Sequence, residues 1–196
     1  IHAGGALDAA LRSIAAGMDT AGDSAVAAKI GELRAKLAED KVVLAFCGHF
    51  SAGKSTLVNR LCGTPLLPSS PIPTSANVVS IRNGEPAAVI TRVNGGREET
   101  VALSPGELEA YCVNGSDIVS VDLSYPIPRL GGKLMLLDTP GIDSTDDAHR
   151  MATESALHLA DVVFYVMDYN HVQSEINFAF AKRLADWGKP LVLVVN

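Results

Sequence analysis

The sequence predicts an α/β fold, a three-layer domain with a mixed, mostly parallel sheet and an antiparallel extension, preceded by N-terminal helices. After residue 41, short continuous apolar runs alternate with helical stretches, as in parallel strands that helices cover on both faces. Between residues 76 and 125, turn residues instead separate short β-prone runs, which favours hairpins. Before residue 41 the chain is alanine-rich and repeats apolar side chains at helical spacing.

The first segment, residues 1–40, is expected to be helical and to serve as a bundle or neck element. Its apolar residues form two stripes with the spacing of one helix face: Leu7, Leu11, Ile14 and Met18, then Val26, Ile30, Leu33 and Leu37. Residues 20–24 offer a helix stop and a new N-cap, so the segment is two short helices or one broken helix. The stripes either pack on the domain that follows or dock into a bundle with further helices.

The second segment, residues 41–196, carries the predicted α/β domain. Apolar runs predict parallel strands at residues 42–47, 134–137, 162–167 and 191–195. Helices are predicted at residues 54–61, about 147–159 and about 173–187. The antiparallel extension is predicted from residues 78–81, 88–90, 99–101 and 118–121, with an inserted helix starting near Ser104.

Composition indicates a compact globular protein in which any anionic ligand needs a local site. Of the 196 residues, 47% are hydrophobic and 19% are charged, and the formal net charge is −6. Such a chain has no general attraction to nucleic acid, so we expect no nucleic-acid partner. The three cysteines lack metal-ligand spacing and are expected to be thiols in a reducing cytoplasm. We expect neither a signal peptide nor a membrane-spanning helix.

The run Gly48-His49-Phe50-Ser51-Ala52-Gly53-Lys54-Ser55, called the phosphate loop below, matches the pattern G-x-x-x-x-G-K-[ST]. It follows an apolar strand and opens a helix, so its backbone amides and the helix N-terminus would face phosphate oxygens. Lys54 would reach the β- and γ-phosphates, and the Ser55 hydroxyl would bind Mg²⁺. The predicted nucleotide-binding residues are Gly48, His49, Phe50, Ser51, Ala52, Gly53, Lys54, Ser55, Thr56 and Asn196.

A second motif, Asp138-Thr139-Pro140-Gly141, ends the strand that begins at Leu134. An aspartate at that strand tip can hold Mg²⁺, usually through water, and the Gly141 N–H can contact the γ-phosphate. Thr74 lies between the two motifs, where GTP-binding switches need a threonine for Mg²⁺ and the γ-phosphate. The predicted metal ligands are Ser55, Thr74 and Asp138, and the predicted catalytic residues are Lys54, Ser51, Thr74 and Gly141.

The strand at residues 191–195 ends at Asn196. In GTPases this strand leads into the motif Asn/Thr-Lys-x-Asp, whose aspartate recognises guanine. Only the first position of that motif is within the sequence, so base specificity is not readable from it. We expect the sequence to be part of a longer protein.

The run from Phe50 to Leu61 resembles the phosphate-loop helix of the dynamin superfamily, and it is most similar to bacterial dynamin-like proteins. The resemblance extends over about residues 42–196 and includes residues 66–68, 73–76, 79–84 and 138–144. It implies a P-loop GTPase domain that dimerises through its nucleotide face and couples hydrolysis to membrane remodelling. Helices before and after that domain form a bundle in this family, which fits the two N-terminal stripes.

The chain departs from the family pattern where water would be oriented. Eukaryotic dynamins place glutamine and then serine in the phosphate loop, to orient water and bind a monovalent cation. Here Phe50 precedes Ser51, and Ile142 occupies the position of the glutamine in Ras-like switches. Water must therefore be oriented by backbone groups, by Thr74 or by a partner, while a monovalent cation near Ser51 remains an expectation. The loop at residues 168–171 is either a plain connection or, by resemblance, a contact to the partner's nucleotide.

The sequence therefore predicts a GTP-binding and GTP-hydrolysing domain of a dynamin-like mechanochemical protein that remodels or fuses membranes, with Mg²⁺ as cofactor. Expected partners are GTP or GDP, a second copy bound through the nucleotide face, and a membrane bound through regions outside these residues. The expected location is cytoplasmic, peripheral at the inner face of the membrane. An alternative is a switch GTPase that recruits an effector, such as a ribosome-assembly factor, although such proteins usually carry basic surfaces. An ATP-driven motor is a third possibility.

Overall fold

The computed structural model describes residues 3–39, 41–67, 78–94, 97–104, 107, 118–142, 147–170 and 172–196. The predicted site residue Thr74 lies outside these ranges, as do Cys112 and His171. The chain divides into two compact units, Ile1–Lys41 and Val42–Asn196. Among the described residues, no helix combines the length and the apolar character needed to cross a bilayer.

The first unit is a pair of helices, α1 (Ala3–Thr20) and α2 (Ser24–Glu39). Asp23 lies in the turn between them, and its carboxylate accepts the Val26 amide at 3.2 Å, so α2 begins at a capped residue. Asp8 on α1 accepts hydrogen bonds from Arg34 on α2 at 2.7 Å and from Arg12 at 2.8 Å. These two hydrogen bonds lower the pKa of Asp8, and the bond from Arg34 has the larger effect. The predicted stripes are mostly uncovered, since Ile30 is buried but Leu7, Ile14, Val26, Leu33 and Leu37 are exposed.

The second unit is built on an eight-stranded sheet in the order β4-β3-β5-β2-β6-β1-β7-β8. The strands are β1 (Val42–Gly48), β2 (Val78–Asn83), β3 (Ala87–Asn94), β4 (Arg97–Leu103), β5 (Ile118–Tyr125), β6 (Leu134–Asp138), β7 (Val162–Met167) and β8 (Leu191–Val195). The half from β6 to β8 is parallel throughout. On the other side, β2 runs antiparallel to β6 and parallel to β5, and β3 pairs antiparallel with both β4 and β5. The predicted mixed sheet with an antiparallel extension is confirmed.

The described residues of this unit include three α-helices, which connect strands: α3 (Lys54–Cys62), α4 (Asp147–Leu159) and α5 (Glu175–Asp186). A short 3₁₀ helix, Pro128–Leu130, precedes β6. The sheet separates two apolar clusters. One contains Phe46 and Val58, and the other contains Tyr165, Leu157 and Leu184. Because β1 and β7 contribute residues to both clusters, the carboxyl ends of these strands are fixed by packing on two sides.

Two local expectations can also be compared with the structure. The side chain of Glu107 accepts hydrogen bonds from both the Ser104 amide and the Ser104 hydroxyl, as at a helix start, but the helix expected to follow lies outside the described residues. Cys47 and Cys62 are buried free thiols, and burial raises the pKa of Cys47 to about 12. Neither of these two thiols is thereby activated as a nucleophile.

Candidate nucleotide-binding site

The phosphate loop connects β1 to α3 with a backbone that glycine makes possible. Gly48 has φ +147°, and a Cβ there would lie 2.0 Å from the Val166 carbonyl oxygen of the neighbouring strand. Gly53, at the start of α3, has φ +89°. Ser51 is the only non-glycine residue of the described ranges with positive φ, at 61°. Between them, the Ala52 amide donates to the His49 carbonyl oxygen at 3.2 Å and closes a tight turn.

Lys54 lies over the first half of this loop. Its side chain is 7% exposed, and its ammonium donates to the carbonyl oxygens of Gly48 at 3.1 Å and His49 at 2.8 Å. A charge buried to this extent needs such partners, because leaving water is costly for an ammonium group. The contacts hold a positive charge beside the loop backbone, where a phosphate group would need it.

Ser55, at the start of α3, meets Asp138 at the end of β6. The Ser55 hydroxyl donates to Asp138 Oδ2 at 2.6 Å, whereas Oδ1 of Asp138 is buried without a hydrogen-bond partner. Burial raises the pKa of Asp138 to about 6, and the Ser55 hydrogen bond and the Lys54 charge act in the opposite direction. A buried carboxylate oxygen without a partner beside a hydroxyl fits a hard divalent cation, because Mg²⁺ prefers oxygen ligands.

No other candidate metal site is found within the described residues, since no three His, Cys, Asp or Glu side chains cluster there as metal ligands would. Ser55 and Asp138 come together, and the third predicted ligand, Thr74, lies outside the described residues. Ser51, proposed beside a monovalent cation, is exposed on the loop.

The Asp138-Thr139-Pro140-Gly141 motif is held by hydrogen bonds to β1 and to Gly48, the first residue of the phosphate loop. The amide and the hydroxyl of Thr139 both donate to the Phe46 carbonyl oxygen, at 3.1 and 3.0 Å. The Ile142 amide donates to the Gly48 carbonyl oxygen at 3.2 Å. Gly141 lies in the short segment between these two attachment points. Two motifs 90 residues apart in sequence thus form one site.

Asn196 joins the same site from β8. Its side-chain amide donates to the Ala52 carbonyl oxygen at 3.1 Å, and its backbone amide donates to the Met167 carbonyl oxygen at 2.9 Å. A Cβ on Gly53 would lie 2.2 Å from Asn196 Nδ2. The predicted base-side residue is therefore in direct contact with the phosphate loop.

Two predicted features at the edge of the site, Phe50 and the loop after β7, are exposed. Phe50, in place of the family glutamine, is 47% exposed, and its side chain carries no polar atom. In the loop after β7, Asp168 Oδ1 accepts the Asn170 amide at 2.7 Å and Tyr169 is exposed. His171, the last residue of the predicted partner contact, lies outside the described residues.

One polar cluster beside the phosphate loop was missed in the sequence. Asn177 on α5 is 2% exposed, and its Oδ1 lies 2.8 Å from His49 Nε2 and 2.6 Å from the Tyr165 hydroxyl. A signal was present, because Asn177 shares a helix face with the buried residues Phe180 and Leu184. An amide within an apolar helix stripe requires polar partners in the core, and these are its partners.

Comparison with known proteins identifies the family of this site. A profile of the dynamin family matches residues 44–196. The chain belongs to the dynamin family. It is 41% identical over 175 residues to Dynamin-like protein A of Bacillus subtilis, covering 89% of this chain and 15% of that protein. It is 26% identical over 164 residues to the isoniazid-induced protein IniA of Mycobacterium tuberculosis, covering 79% of this chain and 26% of that protein.

The fold is also similar to that of a solved bacterial dynamin. A chain from an oligomerised bacterial dynamin pair, described as sensing and tethering membranes, superposes with a TM-score of 0.60 at 19% identity. The match covers 88% of this chain and 28% of that one. The resemblance predicted from the phosphate-loop helix is thus confirmed, and residues 44–196 form a dynamin-type GTPase domain. The chain spans less than a third of each of these proteins.

Proposed function

We propose that this domain binds GTP and hydrolyses it to GDP and phosphate. The observation that carries the proposal is the meeting of Lys54, Ser55 and Asp138 at the start of α3, with Asp138 Oδ1 buried and unpartnered. Catalysis of phosphoryl transfer needs little covalent chemistry from the protein and relies on positioning and charge. A fixed loop with a buried ammonium supplies both.

Each site residue that the structure describes has a defined role in this proposal. The amides of the phosphate loop and the Lys54 ammonium bind the β- and γ-phosphates and stabilise the charge that develops between them. Ser55 and Asp138 would hold Mg²⁺, which neutralises phosphate charge when bound. The Gly141 amide would contact the γ-phosphate, since its neighbour Ile142 is tied to Gly48. Asn196 would begin the guanine-side wall, and Ser51 would lie near a monovalent cation.

The attacking water needs a polar group that Phe50 and Ile142 cannot supply. Thr74, a backbone group or a second copy of the protein must orient it. We favour a homodimer that forms across the nucleotide face, with the loop at residues 168–171 reaching the partner, because an ordered interface can fix both Thr74 and the Asp138 motif. A nucleotide favours the dimer only if it binds the dimer more tightly than it binds the monomer. If GTP promotes dimerisation and GDP does not, the γ-phosphate must account for this difference in affinity.

The wider role that we propose is membrane remodelling or fusion by a cytoplasmic protein that lies peripherally at the inner face of the membrane. Support comes from membership of the dynamin family and from the bacterial dynamin pair described as tethering membranes. The chain covers 15% of the Bacillus relative, so membrane contact is assigned to regions outside these residues. Helices α1 and α2, with their exposed stripes, would contribute to a bundle or neck element.

The test of hydrolysis compares Lys54→Ala with a matched lysine variant. With saturating GTP and Mg²⁺, Lys54→Ala should lower turnover by about a hundredfold or more, since it removes a preorganised charge. Lys182→Ala, an exposed lysine on α5, should keep the wild-type rate. Equal turnover of wild type and Lys54→Ala would refute the proposed site.

The test of the dimer follows turnover per molecule as protein concentration increases. The rate should rise with concentration, and the double variant with alanine at Asp168 and His171 should flatten the rise. Asp186→Ala, at the far end of α5, removes an exposed carboxylate and should leave the rise intact. A rate per molecule that stays constant over about a hundredfold concentration range would favour a monomeric switch.

A further inference from the structure

The cluster of His49, Asn177 and Tyr165 joins three separate elements at the phosphate loop. Asn177 belongs to α5, Tyr165 to the central strand β7, and His49 to the loop itself. Tyr165 and Asn177 are buried, and His49 is half-buried. Because a buried polar group without a partner is costly, the cluster fixes the position of all three side chains.

The hydrogen-bond directions follow from chemistry. Oδ1 of an asparagine only accepts, so both the Tyr165 hydroxyl and His49 Nε2 must donate to it. The Nε2 proton of His49 is therefore held toward α5. The contact with Asn177 requires an N–H donor at the distance of His49 Nε2 from the loop backbone. It does not require that the His49 side chain be charged.

The backbone of His49 is at the same time the acceptor for two groups of the site. Its carbonyl oxygen receives the Lys54 ammonium at 2.8 Å and the Ala52 amide at 3.2 Å. The second half of the loop runs into α3 and is held by that helix, whereas the first half lies outside any helix. A side-chain anchor at His49 therefore determines where the first half of the loop lies.

We propose that Asn177 is a positioning residue for phosphoryl transfer: through His49 it fixes the first half of the phosphate loop and the carbonyl oxygen that holds Lys54. Asn177 does not touch the nucleotide in this assignment. It lies three residues after Ser174, the N-cap of α5, whose side chain accepts the Asn177 amide at 3.3 Å. The start of α5 and the phosphate loop are thus connected by one buried side chain. The kinetic part of this inference rests on the proposed GTP hydrolysis.

The kinetic experiment compares Asn177→Ala and His49→Ala with two matched variants in the full-length protein. Each alanine variant should lower the turnover of saturating GTP by about tenfold, the effect of one lost hydrogen bond. GDP affinity should change by less than about threefold, since α3 and the second half of the loop remain. The double variant should be no slower than either single variant, because both remove the same contact.

Two further variants separate positioning from general stability. His49→Gln keeps an N–H donor at a similar reach and should restore turnover to within about twofold of wild type. Tyr165→Phe removes the other donor to Asn177 and should lower the unfolding midpoint, yet it leaves the His49 contact and therefore the turnover rate intact. If Asn177→Ala does not fold, the pair His49→Ala and His49→Gln decides alone, because His49 is a half-buried loop residue, whereas Asn177 is buried.

Hydrogen exchange gives a readout that does not depend on hydrolysis. The Ala52 amide, bonded to the His49 carbonyl oxygen, should exchange faster in His49→Ala and Asn177→Ala than in His49→Gln. If wild type fails to hydrolyse GTP but this pattern appears, the proposed function and the kinetic part of the inference are wrong, and the anchoring of the phosphate loop by Asn177 through His49 stands. The positioning role is overturned if the two alanine effects add, if glutamine does not restore turnover, or if Ala52 exchange is unchanged.

Discussion

Ionisation of the buried Asp138 carboxyl should lower the free energy of unfolding as pH rises, and Asp138→Asn should remove this loss. Burial raises the pKa of Asp138 from 3.8 to about 6 in the folded protein, so the folded state holds this proton more tightly than the unfolded chain does. Stability from this group is therefore present at low pH and is lost as pH rises through about 6. A shift of about two pKa units corresponds to about 3 kcal/mol between a pH well below 3.8 and a pH above 7. Between pH 4, where part of this difference is already lost, and pH 7, Asp138→Asn should gain about 2 kcal/mol.

The measurement is urea unfolding without nucleotide or Mg²⁺, followed by the fluorescence of Trp187, the single tryptophan of the chain. Wild type and Asp138→Asn are compared from about pH 4 to pH 8, and the difference in their free energies of unfolding is plotted. The amide oxygen of asparagine can still accept the Ser55 hydroxyl, and the change removes the ionisable group. Asp186→Asn controls for the loss of one exposed carboxylate. A difference for Asp138→Asn that is flat with pH, or that falls as pH rises, would refute the reasoning.

The remaining predictions concern the loops of the site. Gly48→Ala should lower the free energy of unfolding by about 3 kcal/mol, since its Cβ would meet the Val166 backbone 2.0 Å away at positive φ. Gly53→Ala should cost about half as much, because its Cβ meets the movable side chain of Asn196, but it should weaken nucleotide binding in a titration. Thr74→Ala should leave GDP binding nearly intact and lower GTP turnover by about tenfold or more, equivalent to about 1.4 kcal/mol of barrier, and an unchanged rate would remove Thr74 from the mechanism.

The elements that could be predicted from the sequence are those with local signals. The helix predicted at residues 54–61 is observed as Lys54–Cys62, and the one predicted at about 147–159 as Asp147–Leu159. In both cases the helix begins where a strand or loop gives way to apolar residues at helical spacing. Such a boundary is set by residues close together in sequence, so it can be predicted. The phosphate loop was predictable for the same reason, since its glycines and Lys54 lie within eight residues of one another.

The elements that could not be predicted depend on contacts distant in sequence. β4 was expected at residues 99–101 but spans Arg97–Leu103, because pairing with β3 extends it and Arg92 meets Glu99 at 3.0 Å across the two strands. The order that places β2 between β5 and β6 leaves no local mark on the sequence. Asn177 was missed because an asparagine in an amphipathic helix usually faces water. Its helix face indicated burial, but its partners His49 and Tyr165 are distant in sequence.

The central claim is that the phosphate loop binds a guanine nucleotide, and calorimetric titration of the full-length protein tests it most directly. GTP and GDP should bind, ATP should bind at least about tenfold more weakly, and Lys54→Ala should lose most of the affinity for GTP. The guanine preference follows from membership of the dynamin family, and the loss of affinity in Lys54→Ala follows from the position of the Lys54 ammonium at the phosphate loop. Equal affinity for ATP and GTP, or undiminished GTP binding by Lys54→Ala, would contradict it.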